Sequence, residues 1–163
     1  MASRHRKFVL KKGQIDYRRR TIVPVVNCLL MHRGRLLLVK RTHQTRFYPG
    51  YWHCIAGFLD DNKNVLQKAR EEIYQETGIR RKDIVYLKSK KIVSAYDHRY
   101  RKQWIIHYVL AQVKTEVVKL DWEATEYKWV RLDQFCGMRK LIPAFKINAM
   151  RLLQKEGIKK PHH

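Results

Sequence analysis

Apolar and polar positions repeat with two different periods along this chain, and together they predict a mixture of strands and helices. Runs of β-branched and aliphatic residues predict strands, the first two separated by a turn at His32 to Gly34. Apolar residues three or four positions apart predict helices, the last of which begins at Pro143. The predicted strands are 21–31, 35–40, 84–93, 103–113 and 126–130, and the predicted helices are 64–77 and 143–155. Strands and helices do not alternate strictly, so we expect an α+β fold.

The helix predicted over 64–77 has two distinct faces. Its apolar face repeats every four residues and consists of Val65, Ala69 and Ile73. Positions i, i+3 and i+4 are neighbours on a helix, so a second face carries Glu72, Gln75 and Glu76. We expect Gly78 to end this helix in a left-handed conformation, and Asn62 or Asn64 to cap its start.

Acidic side chains are concentrated around this helix although the chain as a whole is strongly basic. The net charge is +22, with 36 Lys and Arg against 14 Asp and Glu. Between residues 57 and 79 the sequence nevertheless contains Asp60, Asp61, Glu71, Glu72 and Glu76. A divalent cation accounts for such a cluster, because Mg²⁺ is usually held by one or two carboxylates together with substrate phosphates. The alternative is an exposed amphipathic helix with ordinary surface charges.

The segment GFLDDNKNVLQKAREEIYQETGI (57–79) resembles the Nudix box, G-x5-E-x7-R-E-U-x-E-E-x-G-U with U aliphatic, in which a loop-helix-loop holds metal ions against a pyrophosphate. The matching positions follow one another without a gap and are Gly57, Glu72, Ile73, Glu76, Gly78 and Ile79. The flanking segments 32–41, 48–60 and 123–130 also resemble parts of the family, so most of 21–155 is covered. The resemblance implies the Nudix fold, a mixed β-sheet sandwiched between α-helices.

Three positions depart from the box. Lys63 replaces its first Glu, Glu71 replaces its Arg, and Gln75 replaces the first Glu of its final pair. The first two departures exchange an acid and a base, so we hypothesise that Lys63 and Glu71 form the same ion pair with its charges reversed. Gln75 offers an amide oxygen without formal charge, which predicts weaker binding of Mg²⁺.

The resemblance also implies a set of metal ligands and a reaction. The ligands of Mg²⁺ or Mn²⁺ would be the carbonyl of Ala56, the side chains of Glu72, Gln75 and Glu76, and a later acid, Glu123, with Glu126 as the alternative. The reaction would be hydrolysis of a nucleoside diphosphate linked to another group, by attack of a metal-activated water. A carboxylate near that water, which we assign to Glu123, would take its proton. The candidate catalytic residues are therefore Glu76, Glu72 and Glu123.

Candidate substrate-binding residues follow the second predicted strand. Arg41 and Arg46 carry guanidinium groups that can hold a phosphate through two hydrogen bonds. Tyr48, Tyr51 and Trp52 can stack on a base, although Trp52 is equally suited to the core or to anchoring a loop. No specificity motif identifies the group attached to the diphosphate, and the sequence does not indicate an oligomeric state.

Length and cysteine content predict one intracellular domain. We expect a basic N-terminal arm at 1–20, a single Nudix-like domain at 21–157, and a basic and His-containing tail at 158–163. The longest apolar stretch, 21–31, is shorter than the ~20 residues that a bilayer span needs, so no membrane association is expected. Three scattered cysteines indicate a reducing compartment, and the cytoplasm is the expected location. The first twenty residues also resemble an organelle transit segment, but lack a clear amphipathic helix.

Two basic clusters suggest contact with a polyanion. One lies in the N-terminal arm and the other at 80–102, where aromatic and basic residues are interleaved. The candidate nucleic-acid-binding residues are Arg18, Arg19, Arg20, Arg99, Tyr100, Arg101 and Lys102. A solvated loop between two strands would have the same composition. Two functions are therefore expected: a Nudix pyrophosphohydrolase, favoured by the intact Glu72 and Glu76, or a catalytically weakened Nudix-fold protein that binds RNA or a ribonucleoprotein such as the ribosome.

Overall fold

One mixed β-sheet organises the protein in the computed structural model, which describes residues 9–158. The predicted arm and tail therefore lie partly outside the described residues, at 1–8 and 159–163. The strands are β1 (Ile22–His32), β2 (Arg35–Arg41), β3 (Trp52–His53), β4 (Ile55–Phe58), β5 (Ile84–Asp97), β6 (Lys102–Val113) and β7 (Ala124–Val130). The helices are α1 (Val65–Thr77), α2 (Leu132–Gly137) and α3 (Pro143–Lys155), with a short 3-10 helix at Arg81–Asp83.

The strand order places β1 at the centre of the sheet. Its pairing with β6 is parallel over most of its length, whereas its pairings with β2 and β4 are antiparallel. β2 diverges from β1 after the turn and pairs with β3 and β7 on its two edges. Arg33 and Gly34 have positive φ angles of 48° and 73°, which matches the right-handed twist of a two-residue hairpin. This turn confirms the sequence prediction.

Two apolar clusters cover the opposite faces of the sheet. Alternate residues of the strands point to opposite faces, so Leu36 and Leu38 belong to one cluster and Leu37 and Val39 to the other. The first cluster includes residues of α2 and α3, and the second includes Ala69 and Ile73 of α1. The sheet is thus sandwiched between helices, and the predicted α+β fold is confirmed.

The ends of α1 follow the predicted signals. Asn64 caps the start, because its side chain accepts a hydrogen bond from the backbone of Gln67 at 2.9 Å and the side chain of Gln67 accepts one from the backbone of Asn64. Gly78 ends the helix with a φ of 72°. Asn64, and not Asn62, is therefore the capping residue.

The sequence prediction missed the shortest elements. β3 and β4 contain two and four residues, and α2 contains six, so none is long enough to display a period.

Within residues 9–158 no helix has both the length and the apolar character to cross a bilayer. Cys28, Cys54 and Cys136 are free thiols.

Candidate active site

The side chain of Glu72, in α1, lies directly against Gly57 of β4. A Cβ atom placed on Gly57 would lie 2.3 Å from Cδ and 2.4 Å from Oε1 of Glu72, far inside van der Waals contact. Gly57 is held in place by β4, whose pairing with β1 sets it opposite Val26. Only glycine at this position allows the carboxylate to lie against the backbone of β4.

We expect Gly57→Ala to reduce turnover by about 10²-fold, because the added methyl group displaces the Glu72 carboxylate by about 1 Å. Steady-state kinetics measure this loss. Gly137→Ala is the matched control, since a Cβ atom on Gly137 meets nothing within 4 Å. If the Gly57→Ala and Gly137→Ala variants have the same turnover, the contact between Gly57 and Glu72 does not contribute to activity and the prediction is wrong.

The carboxylates of Glu72, Glu76 and Glu123 are largely buried and interact electrostatically. The pKa of Glu72 is raised to about 8, first by burial and then by the negative charge of Glu123. The pKa of Glu123 is raised to about 7, chiefly by burial and then by Asp121. Burial, followed by the charges of Glu123 and Glu72, raises the pKa of Glu76 well above its ordinary value. Glu72, Glu76 and Glu123 are thus costly to ionise unless a further cation joins them.

A divalent cation fits this donor set. Glu76 is only 7% exposed, and its Oε1 is buried without a hydrogen-bond partner among the described residues. Within residues 9–158 no group of three or more Asp, Glu, His or Cys side chains has the arrangement of a complete metal-binding site. Mg²⁺ does not require one, because water and substrate phosphates normally complete its coordination. The unpaired oxygen of Glu76 and the neighbouring Glu72 are therefore the residues best suited to hold the ion.

The hypothesised ion pair between Lys63 and Glu71 is present. Nζ of Lys63 lies 3.1 Å from Oε2 of Glu71 and 3.0 Å from Oδ2 of Asp61. Gln75 is exposed, and its amide nitrogen donates to Oε1 of Glu71 at 3.3 Å. The amide nitrogen of Gln75 is therefore engaged by Glu71 in this structure, and the metal-ligand role that the resemblance implied for Gln75 stays a prediction.

Lys68 is a buried cation that the sequence analysis did not identify. Its Nζ donates to Oδ1 of Asp60 and to Oδ2 of Asp61, each at 3.1 Å, and lies 3.9 Å from Oε1 of Glu72. Burial acts to lower the pKa of Lys68, but the hydrogen bonds with Asp61 and Asp60 outweigh it and the pKa is raised. Lys68 thus remains charged and compensates the loop acids, whereas the carboxylate of Glu76 forms no ion pair within residues 9–158.

Glu123 directly precedes β7, and the pairing of this strand with β2 places it beside the box. The backbone oxygen of Glu123 accepts from the backbone of Thr42 at 2.8 Å, where β7 meets the end of β2. Its charge is one of the causes of the raised pKa of both Glu72 and Glu76. Glu126 is instead exposed and pairs with Lys40 at 3.4 Å. Of the two late acids, only Glu123 lies with the box carboxylates.

A cavity of about 1340 Å³ is lined by Glu72 and Glu123 but not by Glu76, and we call it the active-site cavity. Ala56 and Gln75, which the resemblance also implied as metal ligands, are among its lining residues. Arg41 also lines the cavity, and its Nε donates to the backbone oxygen of Phe47 at 2.8 Å. Burial lowers the pKa of Arg41, opposed by the charges of Glu123 and Glu76. Arginine nevertheless stays charged in proteins, so Arg41 supplies a fixed cation next to the carboxylates.

The other predicted substrate residues occupy different environments. Arg46 lines the cavity with its guanidinium 5.6 Å from the centroid of the Phe47 ring. Tyr48 also lines the cavity, but its hydroxyl donates to Asp97 at 2.8 Å, which fixes the ring in place. Trp52 is 8% exposed, belongs to the first apolar cluster and is not among the residues that line the cavity. The stacking role predicted for Trp52 is therefore wrong, because its ring is part of the core.

The proposed nucleic-acid residues divide into surface and buried groups. Arg19, Arg20, Arg99 and Arg101 are exposed. Lys102 is only 6% exposed, and its Nζ donates to the backbone oxygens of Tyr17 and Arg18 at 3.4 and 3.2 Å and to that of Arg20. Lys102 is consequently unavailable to a phosphate, which corrects the prediction.

Two further members of that set have intramolecular partners. The hydroxyl of Tyr100 accepts from the backbone of Tyr48 at 2.8 Å, and Arg18 pairs with Asp16 at 2.7 Å. Arg18 also lines the active-site cavity. The predicted basic surface is therefore smaller than the sequence suggested and is partly continuous with the cavity.

Asp97 connects the tip of the β5–β6 hairpin to the loop that precedes β3. In addition to the hydroxyl of Tyr48, its carboxylate accepts from the indole nitrogen of Trp104 at 3.1 Å. Arg99 lies 5.2 to 5.5 Å from the ring centroids of Tyr48, Tyr51 and Tyr100. The sequence predicted that residues 99–102 of this hairpin tip bind nucleic acid, because basic and aromatic residues alternate there within a basic cluster. In the structure, residues 96–99 of this tip line the active-site cavity, whereas residues 100–102 do not.

Comparison with known proteins identifies relatives of this chain. The model of the NUDIX domain matches residues 20–153. Nudix hydrolase 19, chloroplastic, of Arabidopsis thaliana is 38% identical over 69 residues, 41% of this chain and 15% of its own. The asymmetrical bis(5'-nucleosyl)-tetraphosphatase of Rattus norvegicus is 30% identical over 54% of this chain and 60% of its own. An RNA pyrophosphohydrolase of Bartonella henselae is 39% identical over 39% of this chain and 35% of its own. The chain thus spans less than two thirds of each of these relatives.

Solved structures resemble the protein over most of its length. The MutT protein of Methanosarcina mazei Go1 superimposes with a TM-score of 0.71 and 24% identity, covering 85% of this chain and 97% of the other. The bifunctional NMN adenylyltransferase/ADP ribose pyrophosphatase of Francisella tularensis, solved with AMP and a Mn ion, gives a TM-score of 0.64 and 19% identity. The match covers 82% of this chain and 41% of that protein. At these identities the likeness demonstrates a shared fold.

Proposed function

Because this chain belongs to the Nudix family, we propose that it is a Mg²⁺- or Mn²⁺-dependent pyrophosphohydrolase that cleaves a nucleoside diphosphate linked to another group. The observation that carries the proposal is the burial of Glu72, Glu76 and Glu123 against one another beside a large cavity. Ordinary structural carboxylates are exposed or paired, whereas Oε1 of Glu76 has no partner among the described residues.

The residues of the site divide the work of hydrolysis. Glu72 and Glu76 would hold the divalent ion, which when bound lowers the pKa of a water and neutralises charge on the phosphates. Arg41 is positioned to bind a phosphate oxygen and to stabilise the negative charge that develops during the reaction. Glu123 has a pKa raised to about 7, which suits a base that accepts a proton near neutral pH.

The size and lining of the cavity support a substrate with two parts. Its volume of about 1340 Å³ exceeds the ~300–1000 Å³ that is usual for a single small ligand. Its lining combines the acids Glu72 and Glu123 with aromatic side chains that include Phe47, Tyr51 and Trp104. A nucleoside stacked on the aromatic side chains would leave its diphosphate for the carboxylates. The named activities of the tetraphosphatase and the RNA pyrophosphohydrolase are compatible with this arrangement.

A substrate panel tests the proposal. ADP-ribose, diadenosine tetraphosphate, NADH, nucleoside triphosphates and capped RNA are incubated with the wild-type protein in Mg²⁺, in Mn²⁺ and in a chelator. We expect turnover of at least one compound that requires the metal. If none is turned over with either ion, the proposal fails and the exposed arginines around Arg99 and Arg101 favour the RNA-binding alternative. In that case RNA affinity should fall steeply as salt rises.

A further inference from the structure

The segment before the family domain is docked against the active site. We call residues 9–20 the strap, and the family match begins only at residue 20. The backbone nitrogen of Ile15 donates to the backbone oxygen of Asp60 at 2.7 Å, and Nε2 of Gln14 donates to Oδ2 of Asp60 at 2.6 Å. These two hydrogen bonds join the strap to Asp60, whose carboxylate also accepts a hydrogen bond from Lys68.

A second anchor fixes the C-terminal half of the strap. The ammonium group of Lys102 donates to backbone oxygens of Tyr17, Arg18 and Arg20, and it is nearly buried by doing so. Nε of Arg18 donates to Oδ1 of Asp16 at 2.9 Å and its Nη2 to Oδ2 at 2.7 Å, which sets the orientation of the guanidinium. Both ends of the strap are therefore attached to elements that line the active-site cavity.

The side chains of the strap point in different directions. Lys11, Gln14 and Arg18 line the active-site cavity, whereas Lys12 and Gly13 line a separate depression formed with the start of the box, including Asp61 and Lys63. The strap therefore forms part of the cavity wall and contributes two cationic side chains to it.

We propose that the strap is a specificity element: Lys11 and Arg18 bind phosphate groups that a substrate carries in addition to its scissile diphosphate. This inference rests on the proposed function, because it concerns the same cavity. Such additional phosphates occur in two kinds of molecule, a longer polyphosphate chain and the internucleotide linkages of an oligonucleotide. The shared chemistry is a second phosphate held by lysine and arginine through charge-assisted hydrogen bonds.

The test compares two double variants. Lys11→Ala/Arg18→Ala removes the cations of the strap that line the cavity, and Lys12→Ala/Lys114→Ala removes two cations that do not. Both variants lose the same charge, so a nonspecific electrostatic effect is equal in the two. Each is made in a Glu76→Gln background, which prevents turnover during titration calorimetry. The three probes are ADP-ribose, diadenosine tetraphosphate and an NAD-capped pentanucleotide.

We expect Lys11→Ala/Arg18→Ala to raise the Kd of the tetraphosphate, the capped pentanucleotide or both by about tenfold, the loss of two such contacts. The Kd of ADP-ribose should change less than about threefold, and the control variant should bind all three probes as its parent does. The probe that is affected identifies the source of the additional phosphate. Equal losses in the two double variants, or no loss for either long probe, would overturn the inference. Absence of binding of both long probes to the parent would do so too.

The strap and the proposed function can fail separately. Turnover by the wild-type protein in the substrate panel decides the function without reference to the strap. Turnover combined with equal affinities in the two double variants would reject the strap alone. The tenfold difference without any turnover would retain the strap in a protein that binds phosphates but does not hydrolyse them.

Discussion

Glu76→Gln should lower metal-dependent turnover by about 10³-fold, comparable to the loss of a group that stabilises the transition state directly. The substitution preserves the size of a side chain that is 7% exposed, but it removes the charge that would hold a divalent ion. Steady-state kinetics with the best compound of the panel measure the effect. Glu126→Gln is the matched control, because Glu126 is exposed and pairs only with Lys40 among the described residues.

The same variant separates loss of function from loss of folding. Glu76 has a raised pKa because burial and the charges of Glu123 and Glu72 oppose its ionisation. An amide at this position removes that repulsion, so the metal-free variant should melt at the same temperature as the wild type or higher. Added Mn²⁺ should raise the melting temperature of the wild type and have less effect on the variant. A Glu76→Gln variant that retains turnover, or that loses turnover because it unfolds, would contradict the metal-binding role proposed for Glu76.

Lys68→Met should destabilise the protein by about 3 kcal/mol, because removal of one partner of a buried ion pair leaves the other charge uncompensated. The side chains of Lys68 and Asp60 are only 6% and 7% exposed. Urea denaturation measures the change in the free energy of unfolding. Lys114→Met is the control at an exposed lysine, where we expect a change within about 0.5 kcal/mol.

A second substitution identifies the cause of that loss. Asp60→Asn combined with Lys68→Met removes both charges, so the double variant should be more stable than Lys68→Met alone. A cost below about 1 kcal/mol for Lys68→Met would instead resemble a surface ion pair and would contradict its burial among the loop acids. The double variant also reports on the strap, because Asp60 accepts the hydrogen bond from Gln14.

The elements that the sequence predicted correctly are those whose signals are local. The helix α1 carries its apolar face, its cap at Asn64 and its terminal Gly78 within fifteen consecutive residues. The pairing of Lys63 with Glu71 was also predictable, because these two residues exchange the acid and the base of the family pattern. Glu72 and Glu76 were singled out by their spacing and by the family pattern, and the structure buries both, which raises the pKa of each; their metal-binding role stays a prediction.

The residues that the sequence did not predict depend on contacts between distant segments. Lys68 is buried because Asp60 and Asp61 fold back over α1, and Gln14 of the strap binds the same Asp60. Lys102 looked like part of an exposed basic run, but backbone oxygens of the strap surround it. Trp52 belongs to the core because β3 pairs with β2 beneath α3. Charge and aromatic content alone do not reveal such burial.

Anomalous diffraction from crystals soaked in Mn²⁺ tests most directly whether Glu72, Glu76 and Glu123 form the proposed site for a divalent ion. We predict a Mn²⁺ peak about 2.1 Å from carboxylate oxygens of Glu72 and Glu76, with Glu123 beside it and Lys68 still bound to Asp60. A density map without a peak at these carboxylates, or with the ammonium of Lys68 in its place, would contradict the proposed site.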